Sequence, residues 1–126
     1  MPTRAHRTDA GLDLYSKDTA LVPSMGSHVF YTGVHVELPK GTCGILMSRS
    51  GLNVNHSIIS TGLIDEGYTG EIAVKLMNFG DRHYLVQKGE KISQLVVVPC
   101  MYVNVEVVPD LDETERGDDG FGSTGK

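Results

Sequence analysis

Apolar residues recur at every second position along most of the chain. Val34, Val36 and Leu38 alternate with Gly33, His35 and Glu37, and Ile72, Val74 and Leu76 alternate with Ala73, Lys75 and Met77. Val103, Val105 and Val107 repeat the pattern against Tyr102, Asn104 and Glu106. Side chains of a strand point alternately to its two faces, so this period of two predicts half-buried strands. The run Ile92 to Val98 is more continuously apolar and predicts a strand covered on both faces. Turn-forming residues separate the runs: Pro39-Lys40-Gly41, Asp65-Glu66-Gly67, Asn78-Phe79-Gly80-Asp81 and Lys88-Gly89-Glu90. No segment carries an amphipathic helical pattern of about ten residues or more. Many short strands at regular spacing predict an all-β fold: an antiparallel sandwich, a jelly roll or a barrel.

The pattern stops at Pro109. Asp110 to Lys126 holds six acidic residues and four glycines, with Leu111 and Phe121 its only sizeable apolar side chains. Such a segment cannot pack a core and predicts a flexible, Gly-rich C-terminal tail. The division is therefore a β domain over 1–109 and a mobile tail over 110–126. Fully extended, about 15 residues span roughly 50 Å, enough to reach a neighbouring subunit.

Composition narrows the chemistry. A chain of 126 residues suits one domain, and 40% apolar content supplies a modest core. A net charge of −5 without a basic stripe argues against general nucleic-acid binding. A small anion remains a candidate ligand, gathered by a few arginines and a metal ion. Cys43 and Cys100 form no C-x-x-C pair, and the five histidines lack metal-site spacing, so all seven read as structural or surface residues. No stretch has the length of a membrane span, and the N-terminus lacks the apolar run of a signal peptide. The expectation is a cytoplasmic, reduced protein with no membrane partner.

Asp65-Glu66-Gly67 is, as geometry, a tight hairpin turn with Gly67 at positive φ. It leads through Tyr68-Thr69-Gly70-Glu71 into the next strand, so a carboxylate and an aromatic ring share a rigid hairpin. An ionised carboxylate can take a proton from water, and a positioned base contributes on the order of 10²–10⁴ in rate. Four further segments surround it: Ala10-Gly11-Leu12-Asp13-Leu14, Ser48-Arg49-Ser50-Gly51-Leu52, Gly89-Glu90-Lys91-Ile92-Ser93-Gln94-Leu95, and Arg116 to Gly125.

In order and spacing, these segments and Gly62–Ile72 resemble the five motifs of the trimeric dUTP pyrophosphatase family. The resemblance runs from Asp9 to Gly125. It implies a distorted jelly-roll domain that, with Mg²⁺, hydrolyses dUTP to dUMP and pyrophosphate, limiting uracil incorporation into DNA. It also implies the residue roles. Asp65 would deprotonate the water attacking the α-phosphorus, and Gln94 would contact phosphate and place that water. Arg49, Ser50 and Gly51 would bind phosphate through a guanidinium fork, a hydroxyl and backbone N–H groups. Asp13 would act near the metal through its bound water, because Mg²⁺ retains waters. Gly62 and Ile64 would read uracil through the main chain, while Tyr68 would lie under the deoxyribose and exclude a 2′-hydroxyl. A methyl in a pocket is typically worth about 1–3 kcal/mol, so thymine rejection needs rigid steric exclusion. Phe121 would stack on uracil, Arg116 would meet the terminal phosphates, and Gly122, Ser123 and Thr124 would complete the phosphate cage. The implied assembly is a homotrimer whose active sites each draw on three chains.

Three positions depart from the family pattern. Ser48 stands where proline is frequent, and Lys91 stands where arginine is common, replacing a fork by a point charge. The first motif begins so early that the customary N-terminal strand is nearly absent. Two other readings of the same residues stay open at this point: a dCTP deaminase, which shares the fold, and a signalling protein that binds dUTP as a switch. A P-loop is not one of them. Gly120 to Lys126 fits most of its spacing but lies between no strand and helix.

Overall fold

In the computed structural model, which describes residues 1–125, the elements are strands with one short helix. In chain order these are β1 (Leu12–Tyr15), β2 (Ala20–Val22), β3 (Ser27–Tyr31), β4 (Thr42–Met47), α1 (Ser50–His56), β5 (Ile58–Ile59), β6 (Thr61–Ile64), β7 (Ala73–Asn78), β8 (Tyr84–Val86) and β9 (Lys91–Pro99). They pair as three antiparallel sheets of order β1-β9-β4-β6, β3-β7-β5 and β2-β8. The fold is all-β, in a distorted jelly-roll arrangement.

The period-two runs explain the core. In β7, Val74, Leu76 and Asn78 are buried while Ala73 and Lys75 face solvent. They meet Leu14, Phe30, Leu46, Ile58, Ile72, Ile92 and Leu95 in one cluster. Burial of such side chains typically contributes about 1.5–3 kcal/mol each. No periodic stripe marks α1, which is only seven residues long and buries a single side chain, Leu52.

Three predicted runs behave differently from expectation. Val34, Val36 and Leu38 do turn inward, yet their segment forms no ladder. Its backbone is tied at one end, where the Ile72 N–H donates to the Val34 carbonyl at 2.8 Å. In β9, Ile92, Ser93 and Leu95 are buried, but beyond Leu95 the neighbouring β1 has ended and Val97 is exposed. Covering on both faces is thus limited to the first half. The Tyr102–Val107 run joins no ladder among the described residues, and residues 101–119 are all exposed. Among the described residues, nothing covers the valine face of that run. Near the start of the sequence, Thr3 bridges to Asp13, with N–H to carbonyl distances of 3.2 and 2.7 Å.

Candidate active site

Strands β1, β9 and β4 lie side by side and carry one group of polar residues. Asp13 pairs with Gln94 across β1–β9, and Gln94 pairs with Met47 across β9–β4. The Asp13 side chain is 13% exposed and lies between two cations. Lys91 Nζ is 2.8 Å from Oδ2, and Arg49 Nε is 3.3 Å from Oδ1. Gln94 Nε2 donates to the Ser48 carbonyl at 3.0 Å. Gly11 explains why the amide can lie as it does, since a Cβ there would fall 2.3 Å from Gln94 Oε1. Asp13, Arg49, Ser50, Lys91, Gln94 and Gly11 line a cleft of about 380 Å³. Asp9 lines the same cleft, so two carboxylates balance Arg49 and Lys91, and both cations gather at Asp13.

The turn carrying Arg49 is fastened from below by three serines. Ser60 N–H donates to Ser48 Oγ at 2.9 Å, and Ser48 Oγ donates to the Ser60 carbonyl at 3.1 Å. Buried Ser93 donates to the Met47 carbonyl at 3.0 Å and accepts from the Ser60 hydroxyl at 2.9 Å. Ser48 is therefore a fastening residue, which its place in a turn did not reveal. The available signal was serine interrupting apolar runs, as in Ile58-Ile59-Ser60 and Ile92-Ser93.

Asp65 occupies the turn that follows β6. The Tyr68 N–H donates to the Asp65 carbonyl at 3.0 Å, closing the predicted turn. Gly67, however, is not at positive φ, contrary to expectation. A type I turn accepts negative φ at both central residues, so this turn does not require glycine there. Tyr68 donates its hydroxyl to the Glu71 carbonyl at 2.9 Å, and the ring lies where a Cβ on Gly70 would come within 2.5 Å of its oxygen. Gly62 lies opposite Leu46 and Ile64 opposite Gly44 in the β4–β6 ladder. Ile64 is buried, whereas Asp65 is exposed.

Residues without an assigned role in the sequence hold this hairpin. Glu66 Oε1 accepts from the Gly41 N–H at 2.5 Å and from the Tyr102 hydroxyl at 2.8 Å. The Gly41 N–H, and then the Tyr102 hydroxyl, lower the Glu66 pKa, while the Glu66 carboxylate pushes the Tyr102 phenol up to about 12. Glu71 Oε1 meets Lys17 Nζ and the Gly33 N–H, each at 2.7 Å. Lys17 first, then Gly33, holds its carboxyl below the ordinary range. His35 donates from Nδ1 to the Thr69 carbonyl at 2.8 Å.

The two groups do not share a cleft. Asp65 lines a second one, of about 360 Å³, with Cys43, Leu63, Glu66, Gly67, Cys100 and Tyr102. In the β4–β6 ladder, Gln94's neighbour Met47 lies opposite Thr61, whereas Asp65 follows Ile64 at the other end. Three residues of strand amount to roughly 10 Å. The tail residues line neither cleft: Arg116, Phe121, Gly122, Ser123 and Thr124 are exposed. Arg116 Nε donates locally to the Asp119 carbonyl at 2.7 Å, and the Ser123 N–H donates to the Gly120 carbonyl at 3.0 Å. Lys126 lies outside the described residues.

Among the described residues, no three His, Cys, Asp or Glu side chains are grouped to hold a metal ion. Both Asp13 oxygens already meet cations. This donor set does not make a protein cage, but one carboxylate acting through water fits a Mg²⁺ ion carried on substrate phosphates.

The fold and these two clefts define a jelly-roll enzyme with a polar cleft around Asp13, Arg49, Lys91 and Gln94 set apart from an exposed turn carboxylate. The dUTPase family model matches residues 1–125. The deoxyuridine 5'-triphosphate nucleotidohydrolase of Clostridium kluyveri is 45% identical over 99% of this chain and 90% of its own length. The Staphylococcus bacteriophage 80alpha dUTPase, solved with dUPNHPP, superposes with a TM-score of 0.93 at 32% identity, covering 100% of this chain and 92% of that one. A mutant dUTPase of phage phi11 of S. aureus, described with a structural Mg(II) ion, superposes at 0.80 with 30% identity, covering 87% and 90%. The chain belongs to the dUTPase family, hydrolases that convert dUTP to dUMP.

Proposed function

We propose that the active unit is a homotrimer in which dUTP is held between Asp65 of one subunit and the Asp13–Arg49–Gln94 cleft of a neighbour. The observation that carries this reading is the separation of these groups within one chain, at opposite ends of the β4–β6 ladder. A base contributes to catalysis only within hydrogen-bond reach of the proton it takes. A second observation supports the assembly: residues 103, 105 and 107 present a valine face that no other described residue covers. A closed ring of three head-to-tail contacts would bring the two clefts together three times over.

The chemistry follows from the residues. Asp65 takes the proton from water as its oxygen attacks the α-phosphorus. The bond from that phosphorus to the oxygen bridging the β-phosphate breaks, and pyrophosphate leaves dUMP behind. Gln94 orients the water and a phosphate oxygen. Arg49, Ser50 and Gly51 bind the phosphates, and Lys91 shares Asp13 with Arg49, fixing the direction of the guanidinium. Asp13 would hold a Mg²⁺ ion through its bound water, and the ion would supply neutralisation of charge on the triphosphate. The main chain of Gly62 to Ile64 reads uracil, and Tyr68 supports the deoxyribose. Residues 110–126 act as a mobile tail: Phe121 stacks on the base, while Arg116, Gly122, Ser123 and Thr124 enclose the phosphates. Such closure excludes water from competing positions and commits the substrate.

The test is product analysis with dUTP, dCTP and dTTP in the presence of Mg²⁺. dUMP and pyrophosphate from dUTP alone are expected. Deamination of dCTP, or dUTP retained without pyrophosphate release, contradicts the reading.

A further inference from the structure

Cys43 and Cys100 lie 57 positions apart in sequence and share one cleft. Cys43 is in β4, opposite Val98 of β9, and Cys100 is the residue just past Pro99, where β9 ends. Its N–H donates to the Gly41 carbonyl at 2.8 Å, continuing the β4–β9 register by one step. Cys43 and Cys100 are therefore diagonal neighbours on the same face. Both are free and half-buried. Two residues further on, Tyr102 donates to Glu66, the neighbour of Asp65. Gly41, which receives the Cys100 N–H on its carbonyl, donates its own N–H to the same Glu66 oxygen. The thiols and the anchor of the catalytic turn thus share their backbone supports.

We propose that Cys43 and Cys100 are a reversible dithiol switch, closing to an intrachain disulfide that draws Tyr102 away from Glu66 and lowers turnover at Asp65. The effect on turnover rests on the hydrolase reading above, but the cross-link itself does not. Diagonal strand neighbours stand somewhat wider than a relaxed disulfide requires, so closure needs a shift of the chain at one end. Cys100 can supply it, because it lies past the last residue of β9 and leads into the exposed segment 101–109. A disulfide formed with such a shift is readily reduced, which suits reversible control.

The chemistry balances with hydrogen peroxide as oxidant. The Cys100 thiolate attacks a peroxide oxygen, the O–O bond breaks, and a sulfenic acid forms with loss of hydroxide. The Cys43 sulfur then attacks the sulfenic sulfur, the S–O bond breaks, and water leaves with the Cys43 proton. Two electrons pass from the thiols to the peroxide. Cys43 suits this second role: burial, and then the Cys100 thiol, push its thiol pKa up, so it stays protonated until the sulfenic acid forms.

The experiment exposes the full chain to hydrogen peroxide, maps peptides without reduction, and measures dUTP turnover before and after dithiothreitol. Expected are a Cys43–Cys100 cross-linked peptide, a several-fold fall in turnover, and recovery on reduction. Cys43→Ser and Cys100→Ser variants should keep full turnover and resist the peroxide effect. Absence of the intrachain cross-link, or its formation with unchanged turnover, overturns the proposal. A fully reduced parent that forms the cross-link yet never hydrolyses dUTP contradicts the hydrolase reading and leaves the thiol pair standing.

Discussion

Asp65 is held by its neighbours, with Tyr68 bonding to its carbonyl and Glu66 anchored to Gly41 and Tyr102. Its carboxylate is exposed, as a group that must reach water and phosphorus requires. Asp65→Asn should keep nucleotide affinity and lower kcat by on the order of 10²–10⁴, measured by calorimetry and pyrophosphate release. Glu66 gives the turn a pH window. Its folded pKa lies below the ordinary 4.5, so its contribution is complete above 4.5 and lost as pH falls through the folded value. Tyr102 acts in the opposite sense: with a folded pKa of about 12 against 10.0, its contribution is complete below 10.0 and lost as pH rises through 12. The difference in Tm between parent and Glu66→Gln should therefore be flat between these limits and shrink beyond either. At this scale, Asp13, Arg49, Gln94 and Asp65 were named by the resemblance of their segments to the family's motifs. It gave no role to Glu66, Glu71 or Ser93, whose partners are Tyr102, Lys17 and Met47, all distant in the chain.

At the scale of elements, period two identified β7, where alternate residues meet the core, and the continuous apolar run identified β9, of which the first half is buried. Period two also marked 34–38 and 103–107 as strands, because the period reports which side chains seek cover and not whether a hydrogen-bonding neighbour lies beside them. For 34–38 the core provides the cover, whereas for 103–107 the other described residues provide none. Helix α1 escaped notice because one buried leucine in seven residues makes no periodic stripe. The tail contributes no side chain to the core. Truncation after Pro109 should leave Tm nearly unchanged while turnover falls by on the order of 10²-fold, as expected for loss of phosphate donors. A large drop in Tm would give the tail a structural role instead.

For the whole molecule, five motifs in order imply one site, yet a single chain places Asp13, Arg49 and Gln94 at one cleft, Asp65 at a second and the tail residues at neither. Sequence order cannot distinguish residues that meet within a chain from residues that meet across copies of it. The central claim is therefore that Asp65 and Gln94 act on the same substrate from different subunits. Mixing two inactive variants, Asp65→Asn and Gln94→Ala, tests it most directly after dissociation and reassembly. With random assembly of equal amounts, three in four trimers are mixed, and each mixed trimer holds one intact site in three. Turnover of dUTP should return to about a quarter of the parent rate. A mixture that reassembles into trimers and stays inactive would place both residues in the site of a single chain.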